Sequence, residues 1–112
     1  MPPRRELPSL LHYRNQRMQL YRGVLCLSTE EECERFFIDL LSEPELYEVT
    51  KRFYIAGLLL REEKIPIRKV EEIVREEFGE ASTTTIERVK RVLNGQASRG
   101  GYALVFEKLQ GS

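Results

Sequence analysis

The chain has 112 residues, 41% of them hydrophobic and 32% charged; this suits one soluble domain with a modest core and excludes a disordered chain. No stretch approaches the roughly 18 apolar residues of a membrane span, so no membrane partner is expected. No apolar run with a small-residue cleavage site follows Arg4 and Arg5, so no secretory signal is read and a cytoplasmic location is expected. Eighteen basic side chains balance eighteen acidic ones, but unevenly. Residues 1–25 set five arginines against Glu6 (net +4), residues 26–80 eight basic against fifteen acidic groups (net −7), and residues 81–112 five basic against two acidic (net +3). Such an acidic body with basic ends can still offer a local surface to phosphate, because salt screens charges beyond about 8–10 Å.

Along the chain, Pro2, Pro3 and Pro8 mark residues 1–9 as an extended, flexible arm. Leu11, Met18 and Leu25 then recur every seven residues beside Leu10, Arg14 and Tyr21, which predicts an amphipathic helix over Leu10–Leu25, weakened by Gly23 near its end. Its apolar face needs a partner surface in this chain or another. Ser28 or Thr29 caps a second helix, with Glu30, Glu31 and Glu32 facing its positive dipole end and Cys33, Phe36, Phe37, Leu40 and Leu41 on its apolar side. Ser42-Glu43-Pro44-Glu45 restarts a third helix: Ser42 caps, Glu45 closes a capping box, and Pro44 falls in the first turn, where its missing N–H does no harm. That helix runs to about Glu62, with Leu46, Val49, Phe53, Ala56, Leu59 and Leu60 as its expected buried stripe.

After the break at Ile65-Pro66, Ile67, Val70, Ile73, Val74 and Phe78 predict a fourth helix to Phe78, with Gly79 at C′. Ser82 caps a fifth, Thr83 to about Asn94, anchored by Ile86, Val89 and Leu93. Gly95–Gly101 reads as a loop. Tyr102, Leu104, Val105, Phe106 and Leu109 predict a short last helix, since a strand there would lack a partner. The fold class is therefore all-α, about six helices in a single domain over residues 10–112.

Residues 67–94 have the layout of a helix-turn-helix: an anchored first helix, a short turn with a residue tolerant of positive φ, and a second helix that buries one narrow stripe. The stripe Ile86, Val89 and Leu93 leaves Thr83, Thr84, Glu87, Arg88, Lys90 and Arg91 free. Thr83, Thr84 and Thr85 fill the first turn, where a threonine can hydrogen-bond a base and touch a thymine methyl, and where free N–H groups suit a phosphate. Lys90 and Arg91 lie further along, where side chains more often meet the DNA backbone. Glu87 would accept from a cytosine amino group or repel phosphate. The same pattern also fits a helix cap followed by a solvated basic face.

Cys26 and Cys33, if on one helix, stand about 10 Å apart, too far for a disulfide, and read as packed core thiols. One histidine, His12, leaves a Cys/His metal site short of ligands, so no metal is expected. No nucleophile motif or Gly-rich phosphate loop points to an enzyme.

Four segments carry a resemblance. Glu32-Cys33-Glu34-Arg35-Phe36-Phe37-Ile38-Asp39-Leu40 follows E-C-x-R-F-F-x-D-L, Lys51-Arg52-Phe53-Tyr54-Ile55-Ala56 is close to Q-R-x-x-V-A, Ala81-Ser82-Thr83-Thr84-Thr85-Ile86-Glu87-Arg88-Val89-Lys90-Arg91 follows A-S-T-x-T-I-x-R-V-x-R, and Gly100-Gly101-Tyr102-Ala103-Leu104-Val105 follows G-G-Y-x-L-V. In this order, over roughly residues 24–109, they resemble the Trp-repressor-like proteins of the Trp-repressor superfamily. The resemblance implies a sequence-specific DNA-binding regulator, a repressor. It also implies an intertwined homodimer whose N-terminal helices cross between subunits, with paired recognition helices about one turn of double-stranded DNA apart. By position, Thr83, Thr84, Thr85 and Glu87 match the family's groove-facing residues, on a recognition helix that also carries its cap Ser82 and Arg88, Lys90 and Arg91, and Arg68 and Lys69, early in the fourth helix, roughly match its operator-contacting positions. Arg52, Arg88 and Ser42 fall where that family's namesake holds its amino-acid corepressor; guanidinium planes both stack and bind carboxylate. No other cofactor is implied. An alternative is a helical dimer that binds only protein. Two departures stand out. The span from Arg52 to Ser82 exceeds the family pattern by about seven residues, or two helical turns, and Glu80 stands where the family usually has glycine, with Gly79 one place earlier.

Overall fold

The computed structural model describes residues 9–62, 64–95 and 99–111. They form six helices: α1 Leu10–Leu25, α2 Glu30–Leu40, α3 Glu43–Arg61, α4 Ile67–Phe78, α5 Thr83–Asn94 and α6 Gly101–Gly111. No strand occurs among the described residues, and the last apolar segment is helical, as its pattern predicts. The N-terminal arm lies outside the described residues except for Ser9, and so does the middle of the glycine loop. The chain divides into two units, Met1–Ser42 and Glu43–Ser112.

The first unit holds α1 and α2. Ser9 caps α1, its hydroxyl accepting from the His12 amide at 3.0 Å, and the helix runs through Gly23 to Leu25. Thr29 caps α2: its hydroxyl accepts from the Glu32 amide at 3.1 Å, while Glu32 Oε1 accepts from the Ser28 amide at 2.8 Å. This reciprocal pairing satisfies amides that the first turn leaves without partners. Phe36 and Phe37 meet edge to face at 5.2 Å. No described residue of this unit is buried; Leu10 and Leu25 are 86% and 82% exposed. The expectation of two packed core thiols does not hold. Cys26 caps the end of α1 and is exposed, and Cys33 is half-buried on α2, because the break between the helices falls between them.

The second unit is built around α3, which packs against α4, α5 and α6, while α4 also packs on α5. Its core is Ile55, Ala56 and Leu58 of α3 with Val70 and Val74 of α4 and Ile86 and Val89 of α5. Each fully buried Val or Ile contributes roughly 1.5–3 kcal/mol relative to exposure. The buried side of α3 differs from the expected stripe: Lys51, Ile55, Ala56, Gly57 and Leu58 are buried, whereas Val49, Phe53 and Leu60 are exposed. A helix that touches three neighbours buries more than one stripe. Phe53 still finds a partner, stacking on Phe106 of α6 at 4.5 Å.

Gly79 ends α4 with φ 79°, and its amide donates to the Arg75 carbonyl at 2.8 Å; a side chain there would be strained. Residues 79–82 join α4 to α5. A four-residue turn is ordinary for two packed helices.

Candidate nucleic-acid interface

The α5 helix is capped by Ser82, whose hydroxyl accepts from the Thr85 amide at 3.3 Å. It buries Thr85, Ile86 and Val89, with Leu93 half-buried. Thr83, Thr84, Glu87, Arg88, Lys90 and Arg91 are exposed. Spacings of three and four put the buried residues on one side and leave the rest in solvent. Arg68 and Lys69, early in α4, are exposed as well, and Lys69 pairs with Glu72 at 3.5 Å.

Two of the three threonines are less available than their sequence suggests. Thr85 is 8% exposed, and its hydroxyl donates to Glu48 Oε2 at 3.2 Å. It is the residue after Thr84, 100° round the helix, and it falls on the side that faces α3. Its assignment as a groove-facing residue is therefore corrected: its hydroxyl ties α5 to α3. Thr83 is exposed, but its hydroxyl donates to Glu71 Oε2 of α4 at 2.6 Å, so only its acceptor lone pairs and methyl group remain. Thr84 is exposed, with no hydrogen bond from its side chain among the described residues.

Beneath the start of α5 lies a charged cluster that the sequence reading did not single out. Lys51 is only 3% exposed. Its ammonium stands 3.8 Å from Glu48 Oε1, 3.7 Å from Glu80 Oε2 and 4.9 Å from the centre of the Tyr47 ring. The Tyr47 hydroxyl donates to Glu80 Oε2 at 2.8 Å, and the Phe78 carbonyl lies 3.4 Å from it. Glu48 Oε2, besides accepting from Thr85, stands 3.7 Å from Arg52 Nε. The Tyr47 phenol is held above its ordinary titration range, first by its hydrogen bond to Glu80, then by desolvation and by the charges of Glu80 and Glu48. A trace of this was readable: Tyr47, Glu48, Lys51 and Arg52 form a polar strip at i, i+1, i+4 and i+5 on α3.

Of the residues that the resemblance puts at corepressor positions, Arg52 is half-buried and its Nε has no hydrogen-bond partner among the described residues, whereas Arg88 is exposed on α5 and Ser42 lies exposed just ahead of α3. Among the described residues no group of three or more His, Cys, Asp or Glu could hold a metal ion, and no helix is long and apolar enough to cross a membrane.

Residues 15–110 match the family model described as Trp repressor protein. The chain is also similar to an uncharacterized protein, YerC, of Bacillus subtilis (strain 168), with 42% identity over 76 residues, or 68% of this chain and 66% of that relative.

Proposed function

The chain belongs to the Trp repressor family, and from that premise we propose that it is a sequence-specific regulator of transcription, a repressor that places α5 in the major groove of double-stranded DNA. The observation that carries this is the division of α5: Ile86 and Val89 are buried against α3 and α4, while Thr84, Glu87, Arg88, Lys90 and Arg91 stand in solvent. A reading helix must be held along one narrow side and open along the rest, with base contacts near its start and phosphate contacts beyond. In this reading residues 67–94 are the helix-turn-helix. Thr84, Glu87 and Arg88 face base edges, joined by the methyl group and acceptor of Thr83. Lys90, Arg91, Arg68 and Lys69 meet phosphates, and Ser82 holds the first turn in shape.

The working unit is a cytoplasmic homodimer. Support comes from the first unit, where 42 residues contain α1 and α2 but no buried described residue. So short a piece cannot be stable without covering its apolar faces. A second copy supplies that surface and also brings two reading helices to one DNA site. No step here is enzymatic. An amino-acid-like corepressor would be held by Arg52 and Arg88.

Selection of bound duplexes from a random pool, with and without amino acids, tests this reading. The expected result is one enriched pseudo-palindrome whose binding weakens steeply with salt, as released counterions require. Enrichment that depends on an added amino acid would identify the corepressor. Failure to bind any duplex at low salt would reject the reading and favour a dimer that binds only protein.

A further inference from the structure

We propose that Lys51, buried within α3, is the positioning residue of the reading helix: its ammonium gathers Glu48 and Glu80, and through them holds the α4–α5 turn and the first turn of α5 as one body. This rests on the assignment of α5 as the reading helix.

Two arms leave the cluster. One runs from Lys51 to Glu80 in the turn, which also accepts from Tyr47 of α3. The other runs from Lys51 to Glu48, whose second oxygen accepts from Thr85 at the third position of α5. A single cation thus faces carboxylates that reach the segment on both sides of Ser82, the α5 cap. Lys51 also fixes what it holds in distance, because it lies one helical turn from Tyr47 and Glu48 on the same side of α3.

The arrangement is a poor way to gain stability. A buried ammonium forfeits much of its hydration, and pairs at 3.7–3.8 Å recover that only in part; an apolar residue of similar volume is often as stable or more so. What a buried ion pair adds is a defined geometry, since charges must meet in one place whereas apolar surfaces can slide. Definition matters most in the segment that must meet base edges in register.

The test separates geometry from stability. Lys51→Met keeps the aliphatic stem and removes the charge, and its partners retain access to water, with side chains 35% (Glu48) and 61% (Glu80) exposed. The melting temperature of the full chain should move by no more than about 4 °C. The amides of Thr85 and Ile86 should exchange with solvent about tenfold faster, while those of α6 keep their protection. Discrimination between the selected duplex and a scrambled one should fall about tenfold. Lys51→Arg, which restores the charge, should return both readouts most of the way. If Lys51→Met fails to fold, Glu80→Gln, at an exposed position, cuts the charge on the turn arm alone, and the same exchange and discrimination changes are expected. Unchanged exchange in these variants overturns the proposal, and so does faster exchange with discrimination intact. If the unaltered protein binds no duplex, the regulator reading fails and the link to DNA with it; exchange then decides whether Lys51 holds the turn. If the unaltered protein binds and the variants discriminate as well as it does, only the present proposal fails.

Discussion

Gly57 of α3 lies against the Phe106 ring of α6 so closely that a Cβ at Gly57 would come within 2.8 Å of Cε1 and 2.9 Å of Cζ. The glycine costs about 1 kcal/mol of helix propensity relative to alanine, and the close approach of α6 is what it permits. Phe106 is also stacked on Phe53, so the ring can make way for a methyl group only by giving up that contact. Gly57→Ala should therefore destabilise the fold by about 1–2 kcal/mol, the overpacking penalty exceeding the propensity gain. Urea unfolding measures it; a variant more stable than the unaltered protein would show that α6 is free to shift.

The threonine run at the start of α5 separates into structural and reading roles. Thr85→Val keeps the volume but removes the hydroxyl that bonds Glu48, and should cost about 1 kcal/mol, the usual net value of one hydrogen bond. Thr84→Ala, at an exposed site, should change stability by less than about 0.5 kcal/mol. DNA binding should show the reverse order: Thr84→Ala combined with Arg88→Ala removes sequence preference and leaves the fold intact. Thermal melts and competition with scrambled duplex check both halves. Equal loss of preference from Thr85→Val alone would return that residue to the reading surface.

The helix boundaries were legible because capping and turn residues act locally. Ser82, Gly79 and the Ile65-Pro66 break bound α4 and α5 at Ile67–Phe78 and Thr83–Asn94, as the sequence alone places them. The inward side of α3 was not legible. Residues 55–60 are Ile-Ala-Gly-Leu-Leu-Leu, apolar all round, and periodicity cannot choose a face where every face is apolar. Lys51 was missed for a related reason: a lysine is assigned to solvent unless its partners are known, and Glu80 lies 29 positions away in sequence. Thr85 was misassigned because a threonine run looks uniform in sequence, while a 100° step per residue turns only part of it outward.

Alkaline titration should report on the turn. Tyr47 is a neutral donor to Glu80, and both the bond and the nearby carboxylates raise its titration. A phenol held neutral in the folded state contributes stability that is complete below the ordinary tyrosine range, near pH 10, and disappears as pH rises through the folded-state value. Tyr54 also titrates high, first through burial, then through Glu77 and Glu76 against the opposing charge of Arg61. Following tyrosinate absorbance, Glu80→Ala should bring one of the late-titrating phenols back toward the ordinary range, and Tyr47→Phe should remove it. The stability difference between Tyr47→Phe and the unaltered protein should shrink as pH rises above the ordinary tyrosine range, near pH 10. A difference that persisted there would mean that the hydrogen bond to Glu80 contributes nothing specific.

Removal of residues 1–25 tests the dimer. Residues 10–25 form α1, which has no buried residue and exposes Leu10, Leu11, Tyr13, Leu20, Tyr21 and Leu25. In water, apolar surface on this scale draws a partner, at about 25 cal/mol per Å² covered. If a second copy is that partner, the truncated chain should sediment as a monomer at concentrations where the full chain is a dimer. Its melting temperature should also lose its rise with protein concentration, since association stabilises by mass action. DNA affinity should fall far more than stability does, because two reading helices on one duplex act at high effective concentration and a single one does not. A truncated protein that remains dimeric and binds the selected duplex unchanged would assign the apolar face of α1 to something other than a second copy of the chain.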